Sequence, residues 1–334
     1  MHAYFAHNIG SRHVSVLYGL GGAGKTQTAL KFVQESEQSR RFSRVFFIDT
    51  STLGTIDLGL KGLAAATHAG KTAEDALQWL ISQRLEWLIL FNNADDVNIN
   101  LQQFIPRCTH GNILITTRNP ELCVHTASAD AQHRLTDMEE TDAVELLLRS
   151  SRNESTPENM QVASKIVQTL HNFPLAVVQA GAFIYKHRCL KDYLDLYRTN
   201  RIRLLKEQPT QTHDDYAWTV YTTWQISFDH LTEPAARLLQ LCSFLHHEGI
   251  TESMFSRAVL YDGRDLGELA PTVEDLSAAQ EFLVHFLTSP RTWDQLSFTE
   301  VITEIRGYSL MELEAHKEAY SIHPLVHDWT QSNL

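Results

Sequence analysis

Eight residues constrain this chain more than any others: Gly19-Leu20-Gly21-Gly22-Ala23-Gly24-Lys25-Thr26. They match Gly-x-x-x-x-Gly-Lys-Thr. They lie between a short β-type run, Val14-Ser15-Val16-Leu17-Tyr18, and a helical run from Thr26 to Gln38 in which Ala29, Leu30, Phe32 and Val33 are apolar. A glycine-rich turn in that setting wraps closely around a polyphosphate tail, because residues without Cβ let successive backbone N–H groups point at the oxygens. Lys25 then reaches the terminal phosphates and the Thr26 hydroxyl meets a magnesium ion. The first turn of the following helix adds the positive end of its dipole. A chance glycine-rich turn would not need a strand before it and a helix behind it.

The runs that follow extend the same plan. Val45-Phe46-Phe47-Ile48, Leu85 to Phe91, and Ile113-Leu114-Ile115 are near-continuous apolar stretches, as parallel strands buried on both faces require. Helical stretches separate them, notably Ala73 to Gln83. Strands alternating with helices predict an α/β sheet with crossovers. After about residue 136 the period changes to that of helices, at Glu139 to Ser151, Asn159 to Leu170 and Leu175 to Tyr185. The polar stretch Glu207-Gln208-Pro209-Thr210-Gln211-Thr212 reads as a linker. Helices are expected again at Ala235 to Leu245, Glu274 to Leu287 and Asp294 to Ile305, with a β-like run Ala319-Tyr320-Ser321-Ile322 before a last helix. The expected architecture is an α/β P-loop nucleotide-binding domain with a parallel sheet over residues 1–136. A helical bundle over 137–212 and a winged-helix-like domain over 213–334 follow it.

A P-loop that hydrolyses its nucleotide needs an acidic group for magnesium at the end of a second strand. The candidate segment is Leu88-Ile89-Leu90-Phe91-Asn92-Asn93-Ala94-Asp95-Asp96. Amides, Asn92 and Asn93, stand directly after the apolar run, and carboxylates come only at Asp95 and Asp96. An amide can accept a hydrogen bond from a magnesium-bound water but cannot act as a general base. Either Asp95 or Asp96 reaches back to the metal, or hydrolysis is slow or absent; alternatively both aspartates only cap the next helix. Thr116-Thr117-Arg118 ends the third run. Strand C-termini face the ligand in such sheets. Arg118 therefore either senses a terminal phosphate or is a surface arginine.

Composition removes other classes. The net charge of −12 is concentrated in residues 213–334, which hold 6 Lys/Arg against 19 Asp/Glu, while the first 212 residues are near neutral. An acidic module repels a phosphate backbone, so no nucleic-acid partner is expected there. No apolar run approaches the roughly 18 residues of a membrane span, and the start has no secretory signal pattern. The four cysteines show no Cys-x-x-Cys spacing, which suits a reducing cytoplasmic setting.

Taken in order, these segments resemble the NB-ARC group of STAND nucleotide-binding switches, in particular the fungal NLR-like proteins. Val16 to Thr28, containing Gly19, Gly21, Gly22, Ala23, Gly24, Lys25, Thr26 and Gln27, looks like the family's P-loop. Val45 to Asp49 resembles its next strand, Trp87 to Asp96 its Walker B segment, and Ile113 to Arg118 its sensor strand. Asn172-Phe173-Pro174-Leu175-Ala176 is similar to Gly-x-Pro-Leu-Ala, and Ile322-His323-Pro324-Leu325-Val326 to the Met-His-Asp motif. The resemblance implies an adenine nucleotide, ADP or ATP, with Mg2+. It implies that Pro174 packs near the adenine and that His323 touches the β-phosphate of ADP. It also implies exchange of ADP for ATP, with homo-oligomerisation in the ATP state. Asn92 replaces the usual Walker B aspartate, and Pro324 the aspartate after the histidine. The segment upstream of the P-loop strand is short, and effector or repeat domains are not expected within this chain.

Three functions stay open on sequence grounds: a nucleotide-driven switch, a magnesium-dependent ATPase using Asp95 or Asp96, and a scaffold that binds no nucleotide. His323 and His327, with Asp328 adjacent, have a spacing that could hold zinc, but no third ligand is evident nearby and no glutamate sits between the pair. His246-His247 reads as a helix C-terminus. Tyr216, Trp218, Tyr221 and Trp224 share a helix face, for core packing or for a partner helix.

Overall fold

The computed structural model describes residues 1–6, 10–206, 219–260, 281–288, 292–314 and 318–332. The chain divides into two compact units. The first holds Met1–Ala143 and Asn172–Val178; the second holds Val144–His171 and Gln179–Leu334.

The first unit is a three-layer α/β structure. Its strands are β1 (His13–Tyr18), β2 (Arg44–Asp49), β3 (Trp87–Asn92), β4 (Asn112–Thr117) and β5 (Gln132–Arg134). They form one parallel sheet in the order β2-β3-β4-β1-β5. Every residue of β3 and β4 is buried, as expected for central strands covered on both faces. Alternate residues feed two cores. Val14, Val16, Ile89, Phe91, Ile113 and Ile115 pack on one face, and Leu17, Leu88, Leu90 and Leu114 on the other.

The helices of this unit carry clear local signals. Helices α1 (His2–Ala6) and α2 (Lys25–Gln38) belong to the second of those cores through Phe5, Ala29 and Phe32. The buried positions of α2, Lys25, Ala29, Phe32 and Ser36, fall on one stripe. Helices α3 (Leu53–Ala66) and α4 (Ala73–Ser82) cover the opposite face. Each starts with a reciprocal capping box, Thr52 with Thr55 and Thr72 with Asp75.

The second unit is mainly helical. It contains most of α5 (Glu140–Ser151), α6 (Pro157–Thr169), most of α7 (Pro174–His187) and α8 (Tyr193–Lys206). It continues with α9 (Val220–Asp229), α10 (Glu233–Cys242), α11 (Glu252–Leu260), α12 (Gln295–Gly307) and α13 (Pro324–Ser332). Two short hairpins pair β6 (Leu287–Thr288) with β7 (Thr292–Trp293), and β8 (Glu312–Glu314) with β9 (Ala319–Ser321). Ile250 bridges to Tyr320 beside the second hairpin.

Trp224 and Trp329 lie 6.0 Å apart at the heart of this unit, with Tyr221 against both. Tyr221 and Trp224 are thus core residues; Tyr216, Trp218 and the polar stretch 207–212 lie outside the described residues.

Two sequence expectations are corrected. The helix foreseen over Glu274 to Leu287 does not run to Leu287. Residues Val284–Phe286 form a 3-10 turn and Leu287 is extended, because Phe286 packs on Trp293 and Phe298 across the β6–β7 hairpin. Residues 274–280 lie outside the described set. His246 and His247 do not end a helix: α10 stops at Cys242, and the pair sits in the turn beyond, where His246 Nδ1 accepts the Glu248 N–H at 3.2 Å.

Candidate functional site

The turn after β1 depends on backbone conformations that favour glycine. Gly19, Gly22 and Gly24 have φ of 141°, 95° and 90°. A Cβ on Gly19 would collide with the carbonyl oxygen of Leu135, whose own N–H donates to Tyr18 O at 2.8 Å. A Cβ on Gly22 would press on Leu175 and Phe173, at 2.9 and 3.0 Å. The segment expected near an adenine, Phe173-Pro174-Leu175, is therefore packed directly on the loop. Phe173 is buried, and Pro174 opens α7. Asn172, standing where the related motif has glycine, adopts a φ of 53°, a left-handed conformation that asparagine tolerates. Its carbonyl accepts the Met138 N–H at 3.1 Å.

Lys25 is the first residue of α2 and is buried. Its Nζ donates to Gly19 O at 2.8 Å and to Leu20 O at 3.0 Å. Burial lowers its pKa from the ordinary 10.5 to about 8; Asp95 opposes this and Arg118 adds to it. An ammonium held by loop carbonyls at a helix N-terminus is what a phosphate tail requires.

Asn92 ends β3 and is buried. Its Oδ1 accepts the Thr26 hydroxyl at 2.9 Å and the Thr116 hydroxyl at 2.9 Å. Its carbonyl accepts both the N–H and the hydroxyl of Thr50, at 2.8 and 2.7 Å. Sheet order explains the meeting: β4 lies between β1 and β3, which brings Thr116 beside Asn92. The Asn93 N–H donates to the Thr116 hydroxyl at 3.1 Å, and Asn93 itself is exposed with φ 62°. Thr116 and Thr50 were not singled out from sequence as partners of Asn92; the available signal was a hydroxyl at the C-terminal end of each strand flanking β3.

The aspartates have separate tasks. Asp95 Oδ1 accepts the Arg118 N–H at 2.7 Å, and Oδ2 faces Arg118 Nε at 3.0 Å. Asp96 Oδ1 accepts from the N–H and the side-chain amide of Asn98, at 2.9 and 3.1 Å, in an exposed turn. Neither caps the next helical turn, whose N-cap is Asn100. Arg118 is no loose surface arginine, since only 17% of its side chain is exposed.

The residues implied for magnesium thus do not form a set: Thr26 stands at the loop, Asp95 is engaged by Arg118, and Asp96 by Asn98. Among the described residues, no group of three His, Cys, Asp or Glu could hold a metal ion. This includes His323 and His327. His323 belongs to the second unit and precedes α13, where its Nδ1 accepts the Leu325 N–H at 3.2 Å and its ring lies 6.0 Å from that of His171.

Residues 6–156 match the NB-ARC domain, and residues 226–334 match a Domain of unknown function (DUF7779). Residues 6–156 form an NB-ARC domain. The chain is 26% identical over 317 residues to a nucleotide-binding leucine-rich repeat (NLR)-like protein of Hyaloscypha variabilis. The match covers 82% of the chain and 32% of the relative, so the chain spans about a third of that protein's length. Among solved structures, a STAND protein with a tetratricopeptide repeat sensor from Pyrococcus horikoshii matches at 13% identity. That match has a TM-score of 0.35 and covers 100% of this chain and 42% of the other. The ORC2 protein of Aeropyrum pernix matches at 12% identity with a TM-score of 0.49, covering 99% and 92%. The match to the NB-ARC domain supports nucleotide binding by residues 6–156. Among the described residues no helix is long and apolar enough to cross a membrane.

Proposed function

We propose that this chain is an ADP/ATP-binding signalling switch whose hydrolysis is slow or absent. One observation carries the reading: Lys25 and Thr26 stand at the start of α2 beneath a glycine loop, while the side chain that Thr26 meets is an amide, Asn92. The first part binds phosphates. The second withholds the carboxylate that helps hold magnesium for hydrolysis. In this reading the N–H groups of residues 19–27 cradle the phosphates, Pro174 and Phe173 lie toward the base, and Arg118 reads the terminal phosphate while Asp95 aims it. Exchange of ADP for ATP changes the relative stability of two states, and the ATP state associates with further copies. Switching requires different nucleotide affinity in the two states, or the ligand would move no equilibrium. The four unpaired cysteines suit a reducing cytoplasm.

The experiment begins by identifying the nucleotide that copurifies with the protein. Size in solution is then measured with ADP and with a non-hydrolysable ATP analogue. An adenine nucleotide and a larger species with the analogue are expected. Identical monomers in both would refute the switch, and phosphate release well above background would favour an ATPase.

A further inference from the structure

The Asn92 side chain has no acceptor to spare. An amide oxygen has two lone pairs, and Oδ1 already receives the hydroxyls of Thr26 and Thr116, each at 2.9 Å. The Thr116 hydroxyl accepts the Asn93 N–H at 3.1 Å, so its single proton is directed at Asn92. The rest of the side chain is an NH2 group, which only donates.

Waters held by a magnesium ion turn their protons outward and need acceptors. An NH2 group is not one. The expectation that an amide at this position could accept a metal-bound water is therefore corrected: the accepting half is already used. Neighbouring carboxylates are engaged too. Asp49, the register partner of Asn92, accepts the N–H and hydroxyl of Ser51 at 3.1 and 3.0 Å. Both oxygens of Asp95 face Arg118, and Asp96 serves Asn98. The NB-ARC likeness implies magnesium, yet of its usual donors this site retains only the Thr26 hydroxyl. Positive charge is already in place, in Lys25 and at the N-terminus of α2.

We infer that this chain holds its nucleoside diphosphate through loop amides and Lys25, with no requirement for a divalent cation, and that Asn92 is the residue that sets this. The inference rests on the nucleotide-binding reading above and adds its cation dependence. A carboxylate at position 92 has almost the same shape and accepts the same two hydroxyls. It differs by one negative charge, which repels a diphosphate in the absence of a cation and attracts a cation when one is offered.

The test is calorimetric titration of ADP into the wild type and Asn92→Asp, in EDTA and again in millimolar magnesium. The wild-type Kd is expected to agree within about twofold between the two buffers, while Asn92→Asp binds about tenfold more weakly in EDTA and recovers in magnesium. Wild-type affinity that rises by about tenfold or more with magnesium overturns the inference and leaves nucleotide binding standing. Absence of ADP binding by the wild type in both buffers overturns the nucleotide reading itself, and this inference with it. The wild-type comparison decides the question even if the variant fails to fold.

Discussion

Asp95 grips Arg118 twice, at the backbone N–H through Oδ1 (2.7 Å) and at Nε through Oδ2 (3.0 Å), with both side chains largely shielded from water. The pair ties the loop after β3 to the end of β4. Removing the acid leaves a largely buried guanidinium without the Asp95 charge, which costs more than the pair contributes. Asp95→Ala should lower stability by about 1–3 kcal/mol, discounted for the remaining exposure. In urea unfolding of Asp95→Ala, Arg118→Ala and the double variant, the losses should be non-additive. Additive losses would mean that the two residues act independently.

Lys25 gives the site a pH signature. Its charged form is disfavoured by burial, so its pKa stands at about 8 against an ordinary 10.5. Phosphate binding needs the ammonium. Below about pH 8 the free protein already carries it, and affinity should be flat. Above that value binding must take up a proton, and the ADP Kd should rise by about tenfold per pH unit. The sign for folding is opposite. Between about 8 and 10.5 the unfolded chain holds the proton more tightly than the folded one, so the cost of burying the charge falls as pH rises. Titrations at pH 7, 8 and 9, in buffers of different ionisation enthalpy, measure both affinity and proton uptake. Lys25→Met should weaken ADP by about tenfold to a hundredfold at pH 7 and lose the pH slope.

The loop glycines should separate into two kinds. Gly24 has open space around its missing Cβ and only its φ of 90° to satisfy. Gly19 has a φ of 141° and, in addition, the backbone of Leu135 in the way. Gly24→Ala should cost about 1–2 kcal/mol through conformation alone. Gly19→Ala must also move β5 relative to β1, and should cost more. Thermal unfolding of the two variants gives the order directly; equal losses would show that the Leu135 contact relaxes freely.

Gln179 lies in the second unit and is buried. Its Nε2 donates to Leu204 O at 2.9 Å, and its Oε1 accepts the Val220 N–H at 3.2 Å. It thereby joins the end of α8 to the start of α9. Gln179→Met keeps the length and leaves both backbone groups unpaired, at a cost of about 1–3 kcal/mol. Unfolding should report that loss while ADP affinity stays within about twofold of wild type. A large change in affinity would assign Gln179 a part in the nucleotide site.

Sequence revealed most where burial was most complete. The loop, β3 and β4 were visible because central parallel strands are apolar throughout, and the loop's residue types serve little else. β5 was not, because Gln132-His133-Arg134 is polar and becomes a strand only by pairing with Val16-Leu17-Tyr18. Helix α3 was masked by Gly54, Gly59 and Gly62, poor helix formers. Gly59 is there for packing, since a Cβ would come within 3.1 Å of Ile48. At the site, the amide at position 92 was legible as a departure from an acid. That its oxygen is saturated was not, because Thr116 reaches it only through the pairing of β3 with β4.

The order β2-β3-β4-β1-β5 keeps the loop strand and the Asn92 strand from ever touching. The helix behind the loop meets β3 sideways, from the hydroxyl of Thr26 to an amide oxygen that Thr116 shares. Branching at Cβ stiffens both threonines, so the oxygen is held by short, nearly rigid arms. A serine in either place would supply the same hydroxyl on a freer swivel, and the joint would become slack without losing a single bond.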